Sequence, residues 1–366
     1  MADRRLLRSS AGDVPPAAQA AVERALLAAA HRGEIRLHVS ALAGRVLSIG
    51  AHAPRLASPP GGAGGAVGAD GVARRRRTGG RPVACGSGFR VVSLALPGRS
   101  SLLGAQASSI APEQVMNRAV RGFLDGLRRL GLDPSYPGLD LVTVGGRSLA
   151  HLSFAESARG AVLFEAVLAC GETLAESTRL LDELDPGGSL PTTPVAPGSA
   201  TCLAHLAGTR RGAGTIPADA LVDPPVDLLA DVLARSWADA AGLDVLASEP
   251  PPADEGADAH ADSGDGEFPP APQRCAVVMA PSRLGIALAW ARTSDGRVVE
   301  AAVGGDVIAR DGARERVARA VRGCRAEPGS IARALDAVLD RDETWLLGIT
   351  PDELAALLAR AAAGEP

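Results

Sequence analysis

Arg76, Arg77, Thr78, Gly79 and Gly80 stand together just ahead of an apolar run. They lie in the stretch RRRRTGGRPVACGSGFRVVSLALP, residues 74–97. Glycines let a backbone approach a ligand closely and leave its N–H groups free to meet phosphate or carboxylate oxygens. Forked guanidinium groups bring fixed charge to the same anion. The pattern reads as an anion-binding loop. A second fact limits the chemistry. The chain has no lysine: all 38 basic residues are arginine. No side chain can act as a Schiff-base amine, a Walker lysine or a general-base amine.

A loop of this kind needs elements to hold it. Residues 16–31 read as an Ala-rich helix that starts at the Pro15–Pro16 pair. Short β-like runs follow at 34–40 and 45–50, then a Gly/Pro loop at 58–72. A strand is predicted at 91–96. Residues 112–131 form a clear amphipathic helix, with Val115, Met116, Ala119, Val120, Phe123, Leu124 and Leu127 at helical spacing. Strands are read at 139–144 and 161–169, and a helix at 226–239 with Val226, Leu229, Leu233 and Trp237 on one face. Residues 246–274 carry three consecutive prolines and seven acids, a composition that reads as a flexible linker. Beyond it, 275–304 reads as strands, and 313–323, 330–339 and 351–362 as helices. The last helix has a strong start: Thr350 as cap, Pro351 at the first position and Glu353 to complete a capping box.

Length and charge set the frame. A chain of 366 residues exceeds one typical core, so two domains are expected. The net charge is −4, unevenly spread: residues 1–160 hold 21 arginines against 10 acids, and residues 161–366 hold 17 against 32. A basic half suits an anionic small ligand or an acidic protein partner. With aromatics at 2% there is little to stack bases, so no nucleic-acid partner is expected. Cys85, Cys170, Cys202, Cys275 and Cys324 are far apart, with no CxxC, as in a reducing compartment. No run approaches the ~20 apolar residues of a membrane span, and the start lacks a signal-peptide core. The expectation is a cytoplasmic protein with no membrane partner.

Taken in order, these segments resemble the lipoate–protein ligase family. Arg76, Thr78, Gly79 and Gly80 match that family's nucleotide- and lipoyl-contacting motif, with Cys85 at a usual histidine and Gly88 retained. LDLVTVGGRSLAHLSF (139–154) is similar to the family's Asn-Asp and Gly-x-Lys segment. Asp140, Gly146 and Arg147 fit it. Leu139 replaces the asparagine, Ser148 the catalytic lysine and His151 a glycine. ARGAVLFEAVLA (158–169) resembles the next strand, with Phe164-Glu165 where the family has His-Gly.

The resemblance implies an α+β fold. A biotin/lipoate ligase-like, class II synthetase-like domain would span 1–245, with a mixed, largely antiparallel sheet flanked by helices. The linker would follow at 246–274 and a small α+β accessory domain at 275–366. It implies ATP, Mg and lipoate or a related acyl group as cofactor and substrate, and a lipoyl-type carrier domain with an acceptor lysine as partner. Asp140 would hold the metal. Asp140, Arg147 and position 148 would carry catalysis, and Arg76, Thr78, Gly79, Gly80, Cys85 and Gly88 would bind the ligand. The expected activity is ATP-dependent acyl activation and transfer with an altered active site. The alternative is a non-catalytic relative that binds an acyl or nucleotide ligand or a carrier domain. Arg147 or Arg81 would be the guanidinium nearest the lost ammonium. Among the remaining candidates, Cys85 reads as a packing residue, Cys170 as a weak thioester candidate, His52 and His151 as turn or surface residues, and Glu156 and Glu165 as solvated.

Overall fold

The structure is a computed structural model. It describes residues 5–54, 71–102, 110–138, 140–185, 190, 195–208, 217, 219–250, 268–273, 275–340 and 342–365. In chain order the first elements are β1 (Arg5–Val14), α1 (Pro16–His31), β2 (Ile35–Leu42) and β3 (Arg45–Ile49). Next come β4 (Gly71–Arg75), β5 (Val83–Gly86), β6 (Phe89–Leu96), α2 (Pro112–Arg129), β7 (Pro134–Ser135) and β8 (Leu141–Val144). Then follow β9 (Arg147–Glu156), β10 (Val162–Ala169), α3 (Glu176–Leu184), α4 (Leu203–Ala207), α5 (Val226–Ala241) and β11 (Asp244–Ala247). The C-terminal part holds β12 (Val278–Ser282), β13 (Gly285–Ser294), β14 (Arg297–Gly305), β15 (Ile308–Ala309), α6 (Ala313–Val321), α7 (Pro328–Asp336), β16 (Leu346–Leu347) and α8 (Pro351–Ala363).

The main sheet runs β11-β1-β2-β6-β10-β9-β8-β7. Its first two pairings are parallel and the rest antiparallel, so it is the mixed, largely antiparallel sheet that was expected. β6 and β10 are buried at every position, as strands covered on both faces must be. On one face α2 and α5 close the core. All seven apolar residues expected on the inner side of α2 are buried. Gly122 and Gly126 let the two helices meet closely: a Cβ on Gly122 would fall 2.2 Å from the Trp237 ring. Trp237 Nε1 donates to the Ala119 carbonyl at 2.7 Å, so its one polar group is satisfied inside. The opposite face carries α1, whose Leu26, Leu27 and Ala30 pack on Ala95 and Leu163, and the small sheet β4-β3-β5.

Some expectations shift at their edges. β1 was missed because RLLRSSAGDV lacks a clean alternation, yet it is an inner strand between β2 and β11. The expected loop at 58–72 gives way to β4 at Gly71; residues 55–70 lie outside the described residues. The two ends of the 246–274 stretch are folded. Leu246 and Ala247 pair with Leu7 and Arg8, Ser248 N donates to the Arg8 carbonyl, and Phe268 is buried. Residues 251–267 lie outside the described residues.

In the C-terminal part β12-β13-β14 is backed by α6, α7 and α8. The capping box at α8 is complete: the Thr350 side chain accepts from Glu353 N, and the Glu353 carboxylate accepts from Thr350 N at 2.8 Å. This part sits directly on the main sheet. Trp345 stacks on Phe154 with ring centroids 5.5 Å apart, and Arg99 lies 5.6 Å over Trp345. Arg99 also donates twice to Glu156, at 2.5 and 3.1 Å. Glu156 is thus buried and paired, not solvated.

The α2–α5 contact yields the first prediction. Gly122→Leu raises intrinsic helix propensity but drives a side chain into Trp237. It should lower stability by about 1–3 kcal/mol, read from a denaturant midpoint. A midpoint that rises would show that propensity, not close packing, governs this position.

Candidate functional site

The Arg/Gly loop is fixed to the main sheet by a buried polar row. Strand register places Ser9, His38, Ser93, Glu165 and Ser153 directly opposite one another across β1, β2, β6, β10 and β9. All five are buried. Directly opposed residues share a face, so the row lies under α1 and the loop. Thr78 Oγ1 donates to Glu165 Oε2 at 2.6 Å and accepts from Ser153 Oγ at 2.8 Å. Ser93 Oγ donates to the other Glu165 oxygen at 3.4 Å. Glu165 is therefore a buried anchor, correcting the expectation that it is solvated. Burial, reinforced by nearby Glu23, pushes its carboxyl up to about 7 against the pull of Arg74, Thr78 and Arg76.

The arginines of the loop point inward. Arg74 pairs with Glu23 of α1, whose other oxygen accepts from Arg77 N at 3.0 Å. Arg75 donates to the carbonyls of Gly50, Ala51, Ala53 and Pro54. Arg76, only 2% exposed, donates from Nε to Thr78 Oγ1, from Nη1 to Ser48 O, and from Nη2 to both Gly79 O and Arg81 O. The glycine N–H groups are also engaged. Gly79 N donates to Phe154 O at 3.4 Å and Gly80 N to Val307 O at 3.1 Å. A Cβ on Gly79 would sit 2.2 Å from Val307 O, and one on Gly50 would sit 2.0 Å from Gly80 O. The sequence reading had these N–H groups free for an anion. Here the glycines instead admit the C-terminal segment and the 50–54 turn. His52 lies in that turn, buried, with its carbonyl accepting from Gly305 N at 2.8 Å.

The loop does meet the 140–151 region, one residue past its glycines. Arg81 donates to both oxygens of Asp140, from Nε at 2.6 Å and Nη2 at 3.0 Å. His151 Nε2 faces Asp140 Oδ2 at 3.3 Å, and among the described residues it has no other polar partner. His151 is buried, not a surface residue. Burial pushes its imidazole down to about 4, and Arg76 and Arg81 add to that against the pull of Asp140. Burial alone would raise the Asp140 carboxyl; the neighbouring His151 ring and Arg81 guanidinium outweigh it and hold it below the usual range.

The other expected site residues are spread out. Arg147 is exposed beside the Gly145–Gly146 turn, so Arg81 is the guanidinium at the junction. Ser148 is buried at the start of β9, its carbonyl accepting from Thr201 N at 2.9 Å. Cys85 is packed in the core, with its thiol pushed by burial up to about 11. Cys170 is likewise buried and pushed up to about 12, which opposes a thioester role. Gly88 makes a turn: its carbonyl accepts from Cys170, Gly171 and Glu172, and a Cβ would strike Glu172.

A narrow cleft lies beside the junction. Leu141, Leu174, Leu181 and Val195 form its apolar side, and Arg81 and His151 its polar end. Its volume is about 10 Å³, room for one water. Magnesium does not fit at Asp140. Both carboxylate oxygens are held by Arg81, and among the described residues no group of three His, Cys, Asp or Glu could hold a metal ion. Sequence reasoning missed Glu23 and read Glu165 as solvated and His151 as a turn or surface residue. The usable signal was Glu165, a lone carboxylate inside the otherwise apolar run AVLFEAVLA.

No protein-family model matches the chain, and no curated protein does. Among solved structures it is similar to P. falciparum LipL1 in complex with lipoate, at 10% identity and a TM-score of 0.57, covering 92% of this chain and 95% of that one. It is also similar to the bipartite lipoate protein ligase of Thermoplasma acidophilum, at 17% identity and a TM-score of 0.42, covering 68% and 87%. The biotin protein ligase of Leishmania major in complex with biotinyl-5-AMP matches at 10% identity and a TM-score of 0.30, covering 83% and 98%. At such identities the likeness concerns the fold. The chain has the α+β fold seen in the lipoate-bound P. falciparum protein along nearly its whole length. Among the described residues no helix is long and apolar enough to cross a membrane.

The Glu165 anchor gives a pH prediction. Its folded value, about 7, lies above the ~4.3 of an unfolded glutamate. Between those values the native state binds more protons than the unfolded state, so stability falls as pH rises through that window. Glu165→Gln keeps an oxygen to accept from Thr78 but removes the titration. Denaturant midpoints at pH 5 and pH 8 should differ less in the variant than in wild type. Asp306, also pushed by burial to about 7, leaves a residual slope. An unchanged slope would show that Glu165 is not the buried group responsible.

Proposed function

We propose that this chain is a lipoate-ligase-like protein that binds an acyl ligand without adenylating it. The observation that carries the reading is the apolar cleft ending at Arg81 and His151, where the Arg/Gly loop meets the 140–151 region. An acyl tail suits Leu141, Leu174, Leu181 and Val195, and a polar head suits the other end. The cleft is closed in this form. Ligand entry calls for α3 to move away from β5, to which it is tied by Ala84 N donating to Ser177 Oγ at 2.8 Å. Adenylation, by contrast, asks for preorganised N–H groups, a cation and magnesium at the developing phosphoryl charge. Here the N–H groups and Arg76 are engaged within the protein, and the chain has no lysine. The natural partner on this reading is a lipoyl-type carrier domain in the cytoplasm. A second reading, ligation with an arginine in place of the lysine, draws on the position of Arg81 at the junction.

Calorimetric titration with medium-chain acyl compounds and with ATP–magnesium, beside mass spectrometry of an apo carrier domain, separates the two. The expected result is heat from the acyl compound, none from ATP, and no gain of mass on the carrier. Ser148→Lys should not restore transfer, because one ammonium cannot replace the engaged donors of the loop. ATP-dependent acylation of the carrier by wild type would overturn the non-adenylating reading and establish the second.

A further inference from the structure

A second cavity lies in the seam between the main core, to which Trp345 belongs, and the C-terminal core, to which Ile349 and Leu354 belong. Its volume is about 300 Å³. Small-molecule pockets begin near that size, at roughly 300 Å³. Leu339, Leu346, Leu347, Ile349 and Leu354 make its walls mostly apolar. Glu113, Arg283 and Asp340 border it with exposed charge, which water screens. The buried polar groups are therefore the ones that select an occupant. Two of them line the cavity, Thr344 at 2% exposed and Trp345 at 4%. Thr344 Oγ1 accepts from Arg316 Nε at 2.8 Å, which leaves its own proton to donate. Trp345 Nε1 is buried without a hydrogen-bond partner. The other tryptophans differ: Trp237 Nε1 donates to Ala119 O at 2.7 Å, and Trp290 Nε1 to Pro269 O at 2.9 Å. A buried indole N–H ordinarily finds an acceptor in protein, water or ligand.

We infer that this cavity binds a small, mostly apolar molecule carrying a hydrogen-bond acceptor that takes the Trp345 N–H. The apolar walls supply contact area, and the buried donors fix the orientation of the occupant. The cavity shares no lining residue with the cleft at Arg81, so it stands apart from the acyl-binding reading. Its indole stacks on Phe154, whose carbonyl accepts from Gly79 N. The site thus borders the joint that holds the Arg/Gly loop.

Nitrogen–proton correlation NMR of the full chain reads each indole N–H separately, and Trp345→Phe assigns the signal of Trp345. The probes are acetophenone and ethylbenzene, which differ by a carbonyl in place of a methylene. Acetophenone should move the Trp345 indole proton downfield and leave those of Trp237 and Trp290 in place. It should bind about fivefold more tightly than ethylbenzene, the worth of one hydrogen bond. Trp345→Phe keeps a ring against Phe154 and should bring the two compounds within twofold of each other. Leu339→Trp, at a half-buried position, fills the cavity and should abolish binding of both; it decides the matter if Trp345→Phe does not fold. An unmoved Trp345 signal, equal binding of the two probes by wild type, or binding that survives Leu339→Trp would overturn the inference. So would a common shift of all the indole signals, which marks partitioning without a site. None of these results bears on the cleft at Arg81.

Discussion

The hydrogen bond from Thr78 to Glu165 is the interaction on which the arrangement of the site depends. It ties a glycine-rich loop to the middle of a buried sheet. Glu165 can be there because its row is polar across five strands, and because Arg74, Arg76 and Thr78 meet it from above. A buried carboxylate without such partners would be costly. With Thr78 held, Arg76 donates to its hydroxyl and to the carbonyls of Ser48, Gly79 and Arg81. Gly79 and Gly80 are then placed where Phe154 and Val307 take their N–H groups. What the sequence presents as a cradle for an anion is, in the folded chain, a joint between the sheet, the small β3–β5 sheet and the C-terminal part.

Much of the fold was legible in the sequence, and the reason is periodicity. α2 and α5 announce themselves by apolar residues at helical spacing, and α8 by Thr350, Pro351 and Glu353. β10 announces itself by a short continuous apolar run: VLFEAVLA, Val162 to Ala169, is unbroken apart from its one acid. β1 was hidden, since its neighbours β2 and β11 supply by pairing what its own pattern lacks. The ends of the acidic stretch were hidden for a related reason. Leu246 and Phe268 are ordered by contacts far away in the chain, with β1 and with the Ala53 carbonyl.

The site was legible only in outline. The loop and the 140–151 region do come together, but through Arg81 and Asp140 rather than through Arg76, Arg147 or Ser148. Motif matching identifies which residues stand in a loop; it does not tell whether their donors face a ligand or a neighbouring carbonyl. That depends on Glu165 and Val307, which lie 87 and 229 positions away from Thr78 and have no signature of their own. The absence of lysine was plain from composition. The Arg81–Asp140 ion pair at the junction needed the three-dimensional arrangement.

The central claim is that the loop's N–H groups are committed to the protein itself. Amide hydrogen exchange at Gly79 and Gly80 tests it most directly, measured on the full chain with and without ATP–magnesium. Both amides should be protected in the free protein, because each donates to a carbonyl in the interior, and nucleotide should leave that protection unchanged. Fast exchange at both positions in the free protein, followed by protection when ATP–magnesium is added, would contradict the account and return the loop to a nucleotide-binding role.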